Sequence, residues 1–515
     1  MEALTVRLKR QPNAETEVIT AAAGLTVEQI VKMCEIETEY PVYACRINNK
    51  VQPLTAVPAE EDEIVLLDMR DSCAKEIYQR SVIDLFRSTL ARVYPEVKAI
   101  IGNSLNRGIF FEISSKRSFG SPAVEHVEKV MKQIVSEKVP FTFIEHGLDM
   151  VVPDAGYIGD FDLRKCRSGL VIRIPEDTHP GGMAPYVDNY NLYKAFQVQR
   201  KWSEKLDILT CADLNQAIEA GQVRNLVLVS EALQEKKISH IADDIIKSHK
   251  RIVLIAGPSS SGKTTFAHRL CTQLWVNGPK PVYMGTDDYY LDRDQIPYGP
   301  DGTQNFENLD SIDVELFNEH LKTLLAGGEV DLPRFDFNSG KKVFGERKLK
   351  LEPDQPMVIE GIHGLNEALT PSIPKSEKYK IYISPLTQLR IDDYTRIPLT
   401  DTRKLRRIVR DAKKRGWDAR QTIEAWPKVR AGEDINIFPY SDEADNIFNS
   451  AFVYELAALK KDALPMLTSI PEDDEYYTEA QRLARLLSHV ATIEDDHYIP
   501  NNSILREFIG GSIIA

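Results

Sequence analysis

The residues with the clearest chemical potential lie in one stretch near the middle of the chain. It reads Gly257-Pro258-Ser259-Ser260-Ser261-Gly262-Lys263-Thr264 and fits the pattern G-x-x-x-x-G-K-[ST]. In such a loop, successive backbone N–H groups turn inward and bind phosphate, and the positive end of the following helix favours the same anions. Lys263 can reach the β- and γ-phosphates of a nucleotide, and Thr264 can place its hydroxyl on Mg²⁺. We expect the nucleotide to be bound by Gly257, Ser259, Ser260, Ser261, Gly262, Lys263, Thr264 and Thr265.

Two carboxylates stand where they could serve a transferring phosphate. Asp287 follows the apolar run 281–285, and Glu360 ends the apolar run 356–359. Ligands of open α/β sheets bind at the carboxyl ends of the strands, so both side chains should lie at the binding edge. Asp287 could be a general base and Glu360 a Mg²⁺ organiser. The alternative for Asp287 and its neighbour Asp288 is a solvated turn.

A dense basic segment in this acidic protein is a third candidate part of a phosphate-transfer site. Residues 401–411 read DTRKLRRIVRD, and a helix there would place Arg403, Arg407 and Arg410 on one face. Such a face could simply be solvated. Beside a phosphate-binding loop, it could equally be an arginine lid that neutralises a transferring phosphoryl group.

These side chains require a parallel sheet to position them. The run Ile252–Ala256 is short, apolar and β-branched, which predicts a buried parallel strand directly before the loop. From Lys263 the chain can continue as a helix through Leu274. The order strand, loop, helix is the one in which the loop can bind phosphate.

Composition limits the classes of protein to which the chain can belong. Its 515 residues suggest three or four domains, and 43% hydrophobic with 27% charged residues is ordinary for a soluble globular protein. A net charge of -13 gives no global attraction to nucleic acid or to an anionic membrane. No secretory signal and no stretch approaching 18 apolar residues is evident. The six cysteines form no C-x-x-C pair, so we expect reduced thiols in a cytoplasmic protein.

The N-terminal half predicts two small mixed domains. Residues 1–70 alternate like strands around a helix that opens at Thr26 with Gln29 at the capping-box position. This order resembles the TGS domain, a ubiquitin-like β-grasp module. Residues 71–205 open with an amphipathic helix, and the pair of domains resembles the N-terminal part of threonyl-tRNA synthetase. In that family the second domain carries a His-x-x-x-His pair for editing, but Asp84 and Ser88 stand at the corresponding positions. The resemblance therefore implies the α+β fold and not the editing chemistry.

The C-terminal half resembles the uridine kinase and phosphoribulokinase family. Six motifs occur in order after residue 250: the phosphate loop, TDDYY, NFENLDSID, LPRFDF, VIEGI and DTRKLRRIVRD. The expected architecture is a multidomain α/β protein with a P-loop parallel-sheet kinase domain over 251–455. A helical connector over 206–250 precedes it, and a helical extension over 456–515 follows it. Taken together, the domains resemble bacterial TGS-containing nucleoside kinases.

The resemblance assigns roles residue by residue. Asp287 matches the base that takes a proton from a ribose 5′-hydroxyl, and Lys263 with the lid residues Arg406, Arg407 and Arg410 completes the catalytic set. The implied acceptor-binding residues are Asp287, Tyr290, Glu307, Phe335, Arg403 and Gln421. The implied metal ligands are Thr264 and Glu360. The implied cofactors are ATP as phosphate donor and Mg²⁺.

The chain departs from the uridine kinase pattern at two positions that concern the acceptor. Uridine kinases carry a His shortly after the LPRFDF-like motif, where this chain has Gly340, and Phe335 stands where they have a Tyr. Losing both polar groups removes hydrogen bonds that discriminate bases. We expect a kinase for a nucleoside 5′-hydroxyl. Two alternatives remain open. One is a kinase for another sugar, polyol or sugar phosphate. The other is a nucleotide-sensing regulator whose N-terminal half contacts RNA or a protein. We also expect a homo-oligomer.

Overall fold

The chain forms two compact units. The computed structural model describes residues 3–141, 150–176, 179–278, 280–298 and 304–514. The first unit comprises Met1–Asn189, Arg390–Arg396 and Leu467–Arg485. The second comprises Tyr190–Leu389, Ile397–Met466 and Leu486–Ala515.

The first 70 residues form a five-stranded sheet in the first unit. Its strands are β1 (Ala3–Lys9), β2 (Glu17–Ala22), β3 (Val42–Ile47), β4 (Lys50–Gln52) and β5 (Glu63–Asp68). Their order is β2-β1-β5-β3-β4; β1 and β5 run parallel and the other pairs antiparallel. Helix α1 (Val27–Met33) begins at the predicted capping box, in which Thr26 and Gln29 each bond the other's backbone N–H. The likeness to a TGS module stays a prediction.

A second sheet completes the first unit. Strands β6 (Lys98–Leu105), β7 (Gly108–Ser114), β8 (Asp162–Cys166) and β9 (Gly169–Arg173) form an antiparallel sheet in the order β6-β7-β9-β8. Helices α2 (Ser72–Val93) and α3 (Ser121–Ser136) share its apolar core. Asp84 and Ser88 both lie on α2, and the Ser88 hydroxyl bonds the backbone oxygen of Leu85 (3.1 Å). The threonyl-tRNA-synthetase likeness also stays a prediction.

The second unit is built on a five-stranded, wholly parallel sheet. Its strands are β10 (Ile252–Ala256), β11 (Val282–Gly285), β16 (Met357–Glu360), β17 (Lys378–Ser384) and β18 (Asn446–Asn449). They pair in parallel in the order β11-β16-β10-β17-β18. Two small antiparallel pairs accompany this sheet: β12 (Glu329–Asp331) with β15 (Lys348–Lys350), and β13 (Arg334–Asp336) with β14 (Lys341–Val343).

The central strand β10 is buried at every position, which explains its unbroken apolar run. Helix α7 (Lys263–Val276) follows the loop after β10 as predicted. The helices of the second half are α4 (Tyr190–Lys205), α5 (Cys211–Glu219), α6 (Val223–Ser248), α7 (Lys263–Val276), α8 (Val314–Leu325), α9 (Leu399–Arg415), α10 (Ala419–Asn436), α11 (Glu455–Thr468), α12 (Tyr477–Ser488) and α13 (Arg506–Ile509). A parallel sheet with this strand–loop–helix start is the kinase-like α/β fold expected for the C-terminal half.

The predicted domain boundary near residue 205 stays a prediction, and the two compact units divide between Asn189 and Tyr190. Helix α4 groups with the second unit, where the Asn191 amide donates to the Asp442 backbone oxygen (3.4 Å). The Lys237 ammonium of α6 likewise donates to Gln199 Oε1 (3.1 Å). Local sequence gave no sign of these long-range contacts.

Candidate active site

The loop between β10 and α7 can form only because its two glycines lack side chains. A Cβ on Gly257 would lie 2.1 Å from the backbone oxygen of Ile383. Gly262 has a φ of +85°, which disfavours other residues, and a Cβ there would lie 2.4 Å from Ile504 Cγ2. The glycines of the motif therefore permit a tight turn packed against neighbouring chain.

Ser259 is the point of the loop where the most charged groups meet. Its N–H donates to Glu433 Oε1 (2.8 Å), its hydroxyl accepts from Arg407 Nη1 (3.0 Å), and its backbone oxygen accepts from Arg403 Nη1 (3.3 Å). Glu433 in turn binds Arg403 through two hydrogen bonds of 2.5 and 2.9 Å. An anion thus already sits on a backbone N–H of the loop, which is the kind of contact a phosphate oxygen would make.

The remaining loop groups fit a polyphosphate. Ser260 and Ser261 are buried, and neither hydroxyl has a hydrogen-bond partner among the residues that the structure describes. The Lys263 ammonium donates to the backbone oxygens of Gly257 (3.1 Å) and Pro258 (3.4 Å), so it lies over the loop. Buried donors and an ammonium around an inward-facing loop suit the oxygens of a nucleotide.

Thr264 and Glu360 form a pair suited to Mg²⁺. The Thr264 hydroxyl lies 3.4 Å from Glu360 Oε1, and the Tyr283 hydroxyl donates to Glu360 Oε2 (2.9 Å). Over the described ranges, no group of three or more His, Cys, Asp or Glu side chains is placed to hold a metal. Mg²⁺ beside a nucleotide needs only one or two protein oxygens, since phosphates and waters supply the rest. The donor set therefore fits Mg²⁺ bound together with a nucleotide.

Asp287 stands beside this pair at the carboxyl end of β11, on a 3₁₀ turn over Thr286–Tyr289. The residue is exposed, and its carboxylate interacts with the charges of Glu360 and Lys263. Desolvation, reinforced by the charge of Glu360 and opposed by Lys263, raises the pKa of Asp287 to about 6. A carboxylate with a pKa near neutrality can accept a proton more readily than an ordinary one.

Aromatic rings cluster around Tyr290, a predicted acceptor-binding residue. Tyr290 is buried and contacts Phe306, Phe335 and Phe337 edge-on, with ring centroids 5.5, 5.5 and 6.2 Å apart. Phe335 lies on β13 as a buried residue, whereas Phe337 is 59% exposed. An exposed ring at the edge of a buried cluster offers a face against which a planar ligand can stack.

Glu307 lies against the glycine that precedes Glu433. A Cβ on Gly432 would come within 2.0 Å of Glu307 Oε2, so helix α10 approaches this carboxylate at closest range. Desolvation and the nearby charge of Glu433 raise the pKa of Glu307, while Arg407 and Lys263 oppose the shift. The structure thus brings Glu307, Arg407, Lys263 and Glu433 into one electrostatic neighbourhood.

Arg406 does not occupy the position expected of a lid residue. It is fully buried, and its guanidinium contacts Glu455, the Ser450 backbone oxygen (2.9 Å) and the Ser260 backbone oxygen (3.3 Å). A side chain held by a buried carboxylate and two carbonyls cannot swing over a phosphate. Arg406 therefore supports the loop from behind, which corrects the expectation that it acts as a lid.

Arg403, Arg407 and Arg410 of α9 differ in what they contact. Arg403 and Arg407 both reach Ser259, as a helix spacing of four residues allows. Arg410 instead pairs with the buried carboxylate of Asp411 (2.8 Å), which also binds Arg407 (3.1 Å). Desolvation lowers the pKa of Arg407, with Asp411 opposing the shift. The structure thus brings Arg403 and Arg407, and not Arg410, to the loop.

Gln421 differs from its expected role at the acceptor. It is exposed near the start of α10, where its side-chain oxygen accepts from the Asp418 N–H (3.0 Å) and its own N–H donates to Asp418 Oδ1 (2.7 Å). These two bonds form a capping box. The side chain is therefore used to begin the helix and not to bind an acceptor.

Three residues of the site were not predicted from the sequence. Tyr283 orients Glu360, and Glu433 binds the loop. Glu507, near the C-terminus, accepts a hydrogen bond from the Thr265 hydroxyl through Oε2 (2.7 Å). Tyr283 alternates with apolar residues on a strand next to the motif, a signal that could have been used. Glu433 and Glu507 lie 174 and 242 residues from their partners, and no local pattern marks them.

The C-terminal half of the chain is similar in sequence to known kinases. Residues 252–456 match the model of the Phosphoribulokinase / Uridine kinase family. The uridine kinase of Macrococcus caseolyticus is 28% identical over 182 residues, covering 35% of this chain and 79% of that protein. The uridine kinase of Chloroflexus aurantiacus is 28% identical over 198 residues, covering 38% and 85%.

Among solved structures, one titled as a possible uridine kinase from Bacillus stearothermophilus is 18% identical. It covers 40% of this chain and 97% of its own, with a TM-score of 0.27. The sequence matches confirm that the C-terminal half carries a uridine kinase-like domain and that the protein is a phosphotransferase. None of the helices in the described part of the chain has both the length and the apolar character that a membrane crossing would need.

Proposed function

We propose that the protein is an ATP-dependent kinase that transfers the γ-phosphate to the 5′-hydroxyl of a nucleoside. The observation that carries this proposal is the meeting of the loop, the Thr264–Glu360 pair and Asp287 at one sheet edge. The loop alone would support nucleotide binding. A carboxylate with a raised pKa beside it supports transfer to a hydroxyl acceptor.

The transfer requires one bond to form and one to break. The acceptor oxygen attacks the γ-phosphorus, the bond to the β–γ bridging oxygen breaks, and ADP leaves. Asp287 takes the proton of the acceptor hydroxyl. Lys263 and the loop N–H groups hold the β- and γ-phosphates. The Arg407 guanidinium lies beside them, where it donates to the Ser259 hydroxyl. Mg²⁺, held by Thr264 and Glu360, would neutralise phosphate charge.

Two features support a nucleoside as the acceptor. The ring face of Phe337 beside the buried Tyr290 suits a planar base, and Glu307 can accept hydrogen bonds from ribose hydroxyls. Relatives over this domain are named uridine kinases. Gly340 and Phe335 offer no side-chain polar group to a base, so the base that is preferred can differ from uracil.

A sugar phosphate is the second candidate, because of Arg293. This exposed arginine lies over Gly340, where a Cβ would be 3.1 Å from its Nε, and it donates to the Phe337 backbone oxygen (3.2 Å). A guanidinium beside the aromatic rings could bind an anionic group on the acceptor. The acceptor panel below separates the two candidates.

The test is ADP release from Mg²⁺-ATP by the purified protein. The acceptors are uridine, cytidine, adenosine, guanosine, inosine, ribose, other polyols, ribulose 5-phosphate and none, with Lys263→Ala as the blank. We expect one nucleoside to raise ADP release well above the rate without acceptor. A response to ribulose 5-phosphate alone would favour the second candidate, and a flat panel equal to the blank would overturn both.

A further inference from the structure

The last residues of the chain pack directly on the phosphate-binding loop, although the matched kinase segment ends at residue 456. Ile504 is fully buried, and its Cγ2 fills the space beside Gly262 where a Cβ would stand. Phe508 is 1% exposed and lies 4.8 Å beneath the Arg406 guanidinium. The segment Ser503–Ile509 therefore touches both the loop and the arginine helix α9.

Glu507 makes the most specific of these contacts. Its Oε2 accepts a hydrogen bond from the Thr265 hydroxyl at 2.7 Å, and the two side chains are 8% and 0% exposed. Thr265 is the third residue of α7, immediately after Lys263 and Thr264. The bond is buried and charge-assisted, so it can fix the start of this helix more firmly than a neutral, solvated bond could.

The segment is itself held in place by several further bonds. Arg506 donates to the backbone oxygens of Asp496 (2.7 Å) and Ile499 (2.8 Å). Lys413 of α9 donates to the Ile509 backbone oxygen (2.6 Å). The carboxylate of Glu507 is thus presented by a fixed backbone and not by a loose tail.

Arg406 links the C-terminal segment to the loop by a second set of contacts. It contacts Phe508, the buried Glu455 and the Ser260 backbone oxygen. The segment therefore reaches the loop twice, once through Glu507 and Thr265 and once through Phe508 and Arg406. Shifts of this segment would alter the position of loop N–H groups on which phosphate binding depends.

We propose that Glu507 is a positioning residue for the nucleotide site, acting through the Thr265 hydroxyl to hold the phosphate loop at the start of α7. The proposal rests on the proposed use of this loop for Mg²⁺-ATP. The fourteen-residue helix α7 would keep its fold without Glu507, but its first turn would lose a fixed donor. The kinase domain then includes its C-terminal segment as a working part of the donor site.

The test is a double-mutant cycle in the full chain with Mg²⁺-ATP as the probe. We expect Glu507→Ala and Thr265→Val each to raise the Kd and KM for ATP by roughly tenfold, the loss expected for a bond to a charged group. The double variant should be no worse than either single variant, because both remove the same contact. Glu507→Gln keeps an acceptor oxygen and should recover most of the affinity.

The controls separate positioning from a general loss of structure. Glu494→Ala removes an exposed carboxylate from the same tail and should leave KM for ATP unchanged. The acceptor KM should stay within about twofold in all variants, since a positioning effect acts on the donor side alone. Wild-type ATP binding, measured first against Lys263→Ala, tests the proposed function separately.

Two results would overturn the proposal while leaving the proposed function standing. The first is normal KM for ATP in a folded Glu507→Ala variant. The second is full additivity of the Glu507 and Thr265 effects, which would show that each acts through some other contact. If Glu507→Ala does not fold, Thr265→Val and Glu507→Gln decide by the same comparison.

Discussion

The phosphate loop and the arginine helix α9 differ in what makes them work. The loop would bind phosphate through backbone N–H groups, and its shape follows from Gly257 and Gly262. In α9, Arg403 and Arg406 pair with Glu433 and Glu455 of other elements, whereas Arg407 and Arg410 share Asp411 of the same helix. A motif that acts through its backbone can be understood locally, whereas a motif that acts through side chains depends on their partners.

The strongest test of this contrast replaces the one charged side chain of the loop. Lys263→Ala should lower phosphoryl transfer by about a thousandfold or more, because an ammonium on the transferring phosphate would be lost. Its unfolding in urea should change little, since Lys263 is only partly buried. Lys341→Ala, an exposed lysine on β14, is the matched control for ADP release. Equal activity in Lys263→Ala and Lys341→Ala would show that the loop takes no part in the reaction.

Arg406→Ala should show the opposite pattern, with loss of stability before loss of chemistry. It would leave Glu455, 1% exposed, as a buried charge without its arginine, which costs about 3–5 kcal/mol of unfolding free energy. Urea unfolding measures this loss. Arg410→Ala should lose much less, because Asp411 keeps Arg407 as a partner. A stable Arg406→Ala variant with normal urea unfolding would contradict the buried role.

The pH dependence of transfer tests the acid–base part of the site. Because the pKa of Asp287 is raised to about 6, its base form is lost as pH falls through that value. Below about pH 6, kcat/KM should therefore fall roughly tenfold per pH unit, and above it the rate should be flat. Asp287→Asn should lower the rate and abolish this limb. A limb unchanged in Asp287→Asn would assign the titration to another group.

The same shift predicts a change in stability. The folded state binds the Asp287 proton more tightly than the unfolded chain, so ionisation destabilises the fold as pH rises from about 4 to 6. Asp287→Asn should therefore have a higher Tm than wild type at pH 8 and no such advantage at pH 4. An equal difference at both pH values would argue against a raised pKa.

The smallest expected effect concerns Glu433, whose carboxylate accepts a hydrogen bond from the loop. Glu433→Gln removes a negative charge from the Ser259 N–H and weakens the hold on Arg403. We expect the KM for ATP to fall about threefold, because a phosphate then meets less repulsion at this point. Steady-state kinetics at saturating acceptor measure it, and Glu424→Gln on the exposed face of α10 is the control. A higher KM would show that Glu433 supports nucleotide binding.

Much of this site could be predicted from sequence because it follows strands. The loop, Asp287 and Glu360 each come directly after an apolar run, so their meeting at one sheet edge follows from parallel pairing. Arg406 and Gln421 could not be predicted, since a buried ion pair and a helix cap use the same residue types as a ligand contact. Glu433 and Glu507 reach the loop only through tertiary packing, which leaves no periodic signal.

The measurement that tests the central claim most directly follows the γ-phosphate itself. The wild-type protein is incubated with Mg²⁺ and γ-labelled ATP in the presence of the nucleoside that most stimulates ADP release. We expect label in the nucleoside 5′-monophosphate, with none formed by Lys263→Ala and little by Asp287→Asn. Label released only as inorganic phosphate, or retained in ATP with every acceptor, would contradict it.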